Sequence, residues 1–416
     1  TVPDQYTTIQ EGINAASTSD TVLVSDGIYS GIGNVNLTWD GGYKHLTVIS
    51  ENGPENCIID CSGENRGFYF SSGEDTTSII EGFTIRKGKV DEYEGVISDD
   101  YGYGGAAYIG DTSFPKFVTC RFEDNDAYKK GDAVSIRNGG NAIFENCYFY
   151  NNEWNTGNKQ GGAVNIQNSN AIFRGTTFDN NGNDSEYDGG ALYIYSDDQD
   201  NDSRVDIIDC DFLSNGSNGG SSYGGAIYLG RTELHIHDSY FYDNKANIEG
   251  GAIYIESNTY DNIYIQNSIF DYNGREADRG GAITKREYGD TLFVNQSTFI
   301  RNGWSTSEGG AIYLYRTKAV INNSEITLNH INNCGNCGHA GIYVYGNWDD
   351  NYFEMNYSTV AHNYHNSSYA TGTSIWLGHS NLNAVINNSI VSYTFSEGAD
   401  SYNLELNNTY TDAHNN

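Results

Sequence analysis

The sequence predicts an all-β chain, a right-handed parallel β-helix solenoid with three strands per coil and a short N-terminal capping helix. Three features recur in phase. The first is Gly-Gly-Ala followed by alternating aliphatics, with its third residue at 106, 163, 191, 226, 252, 282 and 311; degenerate copies at 133, 341 and 374 complete intervals of 26 to 35 residues. The second is an aromatic or aliphatic residue three positions before an asparagine: Phe122–Asn125, Phe149–Asn152, Phe178–Asn181, Phe212–Asn215, Phe241–Asn244, Phe270–Asn273, Phe299–Asn302, Ile326–Asn329 and Val360–Asn363. The third is a small side chain two residues before each aromatic, as at Cys120, Cys147, Thr176, Cys210, Ser239 and Ser268. A period of this length is too long for a heptad and suits one coil of a solenoid, about 29 residues per turn.

Each feature has a physical reason. Parallel strands of successive coils repeat every ~4.8 Å, so equivalent residues stack directly. An asparagine at every turn is expected to hydrogen-bond the asparagine above it and satisfy backbone that the turn leaves unpaired. The small Ser/Thr/Cys residues and the Phe residues are expected to point inward as packed layers. In the strand after Gly-Gly-Ala the period is two. One parity (Ile227, Ile253, Ile312, Ile342, then Leu229, Ile255, Leu314, Val344) points inside. The other points outside and carries Tyr108, Ser135, Asn165, Tyr193, Tyr228, Tyr254, Thr284, Tyr313, Tyr343 and Trp376, an expected exposed aromatic face that Tyr195, Tyr315 and Tyr345 extend.

The expected organisation is a single domain over 1–416. Residues 1–20 form the cap, where Thr8-Ile9-Gln10-Glu11 reads as a capping box starting a helix over 6–17 with Ile9 and Ile13 on its apolar face. Irregular first coils fill 21–95, with strands expected at Thr21–Val24, His45–Ile49, Cys57–Asp60, Phe68–Phe70 and Ile79–Ile85. Regular coils run over 96–392. The tail, 393–416, is polar and reads as an uncapped end of a longer chain. Thr1 opens the sequence without Met, which points to a removed signal peptide.

Composition narrows the partners. Lys+Arg 22 against Asp+Glu 55 leaves a net charge of −33, which argues against nucleic acid and anionic lipid. No segment approaches the ~20 apolar residues of a membrane span. Nothing beyond Lys318 is Lys or Arg, so an acidic polysaccharide finds little welcome in the last quarter. The Gly-Gly pairs lack the following helix that a phosphate loop needs.

Candidate chemistry is sparse. Asp198, Asp200 and Asp202 alternate in the longest inter-repeat interval, as in oxygen-rich calcium loops, although the Gly and terminal Glu of an EF-hand are missing. A solvated acidic loop is the plainer reading; no cofactor is required, and calcium is the one suggested. Cys334 and Cys337 form a Cys-x-x-Cys near His330 and His339, read as a local disulfide before a zinc site. Seven cysteines are too odd a number for a full disulfide framework, and Cys57 and Cys61, across an intact strand, are too far apart to bridge. Lys285 occupies an inward position held elsewhere by Ile255 or Leu314. A buried ammonium is costly, so the reading preferred here is a local register shift or opening of the strand, against a functional buried lysine.

Val2-Pro3-Asp4-Gln5-Tyr6-Thr7-Thr8-Ile9-Gln10 followed by Asp20-Thr21-Val22-Leu23-Val24 resembles the start of right-handed β-helix proteins of the pectin-lyase-like superfamily. The paired Gly-Gly-Ala and Phe-x-x-Asn repeats are similar to those of chlamydial polymorphic outer-membrane proteins, which are autotransported adhesins. The resemblance implies the fold over nearly the whole chain. It does not choose a function, because that superfamily hosts lyases, hydrolases, adhesins and fibres. The acidic pairs Asp99-Asp100, Asp197-Asp198 and Asp349-Asp350 lack the Asn-Thr-Asp and Gly-His-Gly contexts of its hydrolases. The expectation is therefore a secreted or cell-surface, non-catalytic protein: an adhesin or a self-assembling fibre or sheath subunit. Its aromatic face would meet glycans or like subunits. The alternative is an extracellular polysaccharide lyase or glycoside hydrolase.

Overall fold

A computed structural model describes the chain apart from residues 40–43, 92–100, 154–158, 183–186, 198–202, 217–221, 257–261, 276, 288, 305, 307, 333–338, 347–350, 367–371, 379–381, 397–400, 408–409 and 415–416. The fold is an all-β parallel solenoid with one short helix and three strands per coil. Contacts divide the chain into two compact units, 1–211 and 212–416.

The first unit begins with the helix Ile9–Ala15. Thr8 caps it, the Glu11 side chain closes the capping box, and Ile9 and Ile13 are buried beneath it. Three sheets follow, and each strand pairs in parallel with its equivalent in the next coil. One representative coil contributes Val134–Ile136 to the Gly-Gly-Ala sheet, Asn141–Glu145 to the middle sheet and Tyr148–Tyr150 to the Phe sheet. The second unit repeats this plan, for example with Ile253–Glu256, Ile263–Gln266 and Ile269–Asp271. In both units the core is a set of stacks. Phe122, Phe149 and Phe178 lie 4.5 and 4.8 Å apart in one unit. Phe212, Phe241, Phe270 and Phe299 lie 4.6 to 4.7 Å apart in the other. This near-parallel stacking follows from the coil spacing.

The corners are where the backbone needs special residues. The position three before each Phe, or its aliphatic equivalent, is left-handed: Asn146 (φ 52°), Asp209 (54°), Asp238 (53°), Asn267 (50°) and Asn323 (50°), with Thr119 (47°) and Gln296 (51°) among the exceptions in residue type. Asn, Asp and Gly tolerate that region best, so the sequence is rich in them there. The next corner carries the asparagine ladder. In the first unit Asn125, Asn152 and Asn181 are buried and linked side chain to side chain at 3.0 and 2.9 Å. In the second, Asn215, Asn244, Asn273, Asn302, Asn329 and Asn363 form links of 2.9 to 3.1 Å. Within each ladder the Oδ1 also accepts the backbone N–H of the preceding asparagine, as from Asn244 to Asn273 at 3.0 Å, while at the start of the first ladder Asn125 accepts from Gly88. Glycine is required beside this corner: a Cβ on Gly281 would stand 2.1 Å from the Gly310 carbonyl oxygen.

Several expectations need correction. The run Ile79–Ile85 is two strands, Ile79–Glu81 and Thr84–Arg86, because Gly82 at φ +77° turns the chain between them. The strand expected at His45–Ile49 is Thr47–Ser50. The polar tail contains strands: Ile390–Ser396, Ser401–Asn407 and Tyr410–His414 each pair with the coil before. Lys285 causes no register shift, since Ile255, Lys285 and Leu314 are direct partners. Backbone pairing along four residues outweighs one unfavourable side chain. Cys57, Cys61, Cys120, Cys147 and Cys210 are free and buried, and burial pushes the thiols of Cys57, Cys61, Cys120 and Cys210 up to about 12.

Candidate binding face

The outer face of the Gly-Gly-Ala sheet is built from three side-chain columns. The central one contains the aromatics. In the first unit it reads Tyr69, Tyr108, Ser135, Asn165 and Tyr193, which are register partners. In the second it includes Tyr228, Tyr254, Thr284, Tyr313, Tyr343 and Trp376. The flanking columns are the residue before each Gly-Gly and the residue two beyond the aromatic.

The expected exposure of this ladder is corrected by the structure. Apart from the half-buried Tyr69, the rings face away from the core but are buried, from 0% exposed at Tyr108 to 9% at Trp376. Two causes act together. In-register rings cover each other, with Tyr313 and Tyr343 5.1 Å apart and Tyr343 and Trp376 4.3 Å apart. The flanking columns then close over the ring edges, as Tyr315 and Tyr345 do. Alternation by itself reports which way a side chain points, not what lies over it.

The central column is interrupted by small residues, and charged side chains of the flanking columns gather near them. In the second unit Thr284 is followed by Arg286, which pairs with the buried carboxylate of Glu249. Arg279 bridges Glu249 at 3.0 Å and Glu308 at 2.8 Å. Burial opposes the charge on Arg279, but the hydrogen bonds to Glu308 and Glu249 prevail and raise its pKa. This cluster is internally neutralised. The tyrosines beneath it are pushed to high pKa by burial, so their hydroxyls stay protonated.

The first unit differs. Ser135 and Asn165 leave a gap, with Asn165 Nδ2 donating to Ser135 Oγ at 3.0 Å. Arg137 donates to Gln167 at 3.1 Å and its guanidinium lies 3.8 Å from the Tyr103 ring centre. Lys129 lies 5.1 Å from that ring, and Lys130 lies 4.4 Å from Tyr193. Burial, then the Arg137 charge, lowers Lys130 to about 8 against the pull of Asp188 and Asp197. A chain with a net charge of −33 therefore gathers Lys129, Lys130 and Arg137 on one face.

On this unit lies a cleft of about 630 Å³ lined by Asn36, Asn65, Arg66, Tyr69, Lys89 and Tyr101, with Glu64 and Asp91 also contributing. Arg66 is buried, donates to the Tyr103 carbonyl at 3.1 Å, and lies 5.3 and 5.5 Å from the rings of Tyr69 and Tyr108. Those two rings stack at 5.3 Å. Tyr69 is half-buried and lines the cleft. Lys89 reaches Asp91 at 3.6 Å and Asp126 at 3.9 Å.

Tyr69, Arg66 and Lys89 escaped sequence reasoning because the first coils lack Gly-Gly-Ala. The alternation Phe68-Tyr69-Phe70 was the available signal. Asp198, Asp200 and Asp202 lie outside the described residues, as do Cys334, Cys337, Asp99-Asp100 and Asp349-Asp350. Among the described residues no three His, Cys, Asp or Glu side chains are placed to hold a metal ion, and no helix is long and apolar enough to cross a membrane.

No curated protein matches the chain in sequence, so the resemblance of its repeats to the chlamydial proteins finds no support there. Among solved structures, it is similar to a mannuronic acid specific polysaccharide family 6 lyase from human gut microbiota (13% identity, 90% of this chain and 83% of that one, TM-score 0.46). It is also similar to PfbA, a surface adhesin of Streptococcus pneumoniae (11%, 90% and 83%, 0.41). A third is the A-module of the Azotobacter vinelandii mannuronan C-5 epimerase AlgE4 (12%, 95% and 94%, 0.36). At these identities the likeness reaches the fold alone. Residues 80–274 match the family model described as right handed beta helix region.

Proposed function

We propose that this is a secreted or cell-surface glycan-binding protein of adhesin type, whose ligand lies on the Gly-Gly-Ala face of the first unit. The observation that carries this reading is the cleft, where a half-buried tyrosine ring, a guanidinium, a lysine and asparagine amides converge. Few, well-placed polar groups beside an aromatic face are what a sugar ring requires. The coil repeat of ~4.8 Å is close to the length of one hexose, so a chain laid along the columns meets equivalent positions at each sugar. The nearby cations favour acidic sugars. No cofactor is needed; whether the Asp198, Asp200, Asp202 loop adds calcium is answered by repeating the binding with a chelator.

The alternative, a polysaccharide lyase or hydrolase, draws on Lys130. A lysine lowered to about 8 and half-buried beside Tyr193 is poised as a general base.

Calorimetry against a panel of acidic and neutral oligosaccharides tests both. Tyr69→Ala and Lys89→Ala are each expected to weaken the best acidic ligand about tenfold, the loss of one ring or charge contact. Undiminished affinity in both variants would sink the proposal. Release of unsaturated or reducing products, lost in Lys130→Met, would replace it with the enzyme.

A further inference from the structure

A second aromatic arrangement lies on the second unit, at the corner beyond the asparagine ladder. The residues just past Asn302, Asn329 and Asn363 are Gly303-Trp304, His330 and Tyr364. His330 and Tyr364 are register partners in adjacent coils. The Trp304 indole lies over His330 at 5.0 Å and an interplanar angle of 28°, and His330 lies 5.1 Å from Tyr364. Thr306 donates to the His330 carbonyl at 3.1 Å. Trp304 is nonetheless 47% exposed, while His330 and Tyr364 are half-buried.

A stacked indole loses little further freedom when a ligand covers it. The core does not need this ring, since the Phe stack is complete without it. Burial holds the His330 imidazole below its usual range, so the stack is uncharged at neutral pH. No Lys or Arg occurs after Lys318, so none follows His330 or Tyr364 at this corner; Arg301, three residues before Trp304, is paired with Asp271, and Arg275, at the position equivalent to Trp304 in the coil before, lies over the Tyr272 ring at 4.8 Å. The stack itself carries no charge and the chain is strongly acidic (net charge −33), so the C–H face of an uncharged pyranose suits the open indole better than a carboxylated or sulfated sugar.

We infer that Trp304, supported by His330 and Tyr364, is a binding platform for uncharged sugars, separate from the cleft of the first unit. It does not depend on the function proposed for that cleft.

The test is calorimetry on the full chain with neutral gluco-, manno-, xylo- and N-acetylglucosamine oligosaccharides. Trp304→Ala, Trp304→Tyr and Tyr69→Ala are compared, each checked for an unchanged melting temperature. The expected result is at least tenfold weaker binding of a neutral oligosaccharide in Trp304→Ala, partial recovery in Trp304→Tyr, normal affinity in Tyr69→Ala and no dependence on salt. Three results would overturn the inference: no neutral oligosaccharide binds, Trp304→Ala binds as well as the parent, or the loss follows Tyr69 instead. A concentration-dependent dimer that Trp304→Ala abolishes would also overturn it, by assigning the ring to a second copy of the chain.

Discussion

Replacing Asn273 with alanine is expected to destabilise the second unit by about 3–5 kcal/mol, because it strips partners from several buried groups at once. The Asn273 amide donates to the Phe241 carbonyl at 2.9 Å and to Asn302 at 3.0 Å. Its oxygen accepts from the backbone and side-chain nitrogens of Asn244, at 3.0 and 2.9 Å. After truncation the Asn244 N–H is left without that acceptor in a corner that is wholly buried. Each such orphaned group costs about 1–3 kcal/mol, and no water can enter to replace the bond without opening the coil. Urea unfolding followed by circular dichroism measures the loss. A solenoid transmits damage chiefly to neighbouring coils, so limited proteolysis should open near Asn244–Asn302. A shift under about 1 kcal/mol would show that the ladder is incidental to stability.

Lys285→Met is expected to do the opposite and stabilise the protein at neutral pH, by about 3 kcal/mol. Lys285 is buried between Ile255 and Leu314, and its Nζ has no hydrogen-bond partner. Burial lowers its pKa from 10.5 to about 8, against the attraction of Asp290. The folded-state value lies below the unfolded one, so folding disfavours the proton. The penalty is therefore complete below about 8 and is relieved as the pH rises from about 8 to 10.5. Methionine has similar volume and no charge, so its advantage should be largest at neutral pH and vanish in strong alkali. Thermal melts of both proteins across that range test the sign. An advantage that is absent at neutral pH, or that grows with alkalinity, would refute it.

Lys285 also shows how far the sequence could be read. That it breaks an inward column was visible from Ile255 and Leu314, but the strand neither slips nor opens at Lys285. Register in a parallel coil is held by every backbone pair on both sides, and one lysine cannot compete. The asparagines were legible because the same corner geometry recurs in every coil and demands the same amide. The left-handed corners at Asn146, Asp238 and Asn267 were equally recurrent and went unread. Cys120, Cys147 and Cys210 were legible as buried small residues for the reason that Ser239 and Ser268 were: one column admits one size.

The aromatic column divides the two kinds of knowledge. Its direction was determined by the sequence alone, since period two places Tyr228, Tyr254 and Tyr313 opposite the inward Ile227, Ile253 and Ile312. Its burial was decided only in three dimensions, by rings from adjacent coils and by side chains from flanking columns that local alternation does not report. The same cause hid the cleft. Asn36, Arg66, Tyr69 and Lys89 come from successive irregular coils, and only stacking at the strand spacing brings them to one surface. Periodicity in one dimension specifies the coil, because each turn repeats the same local chemistry. A site is made by what differs between turns, and those differences meet only when the chain is wound.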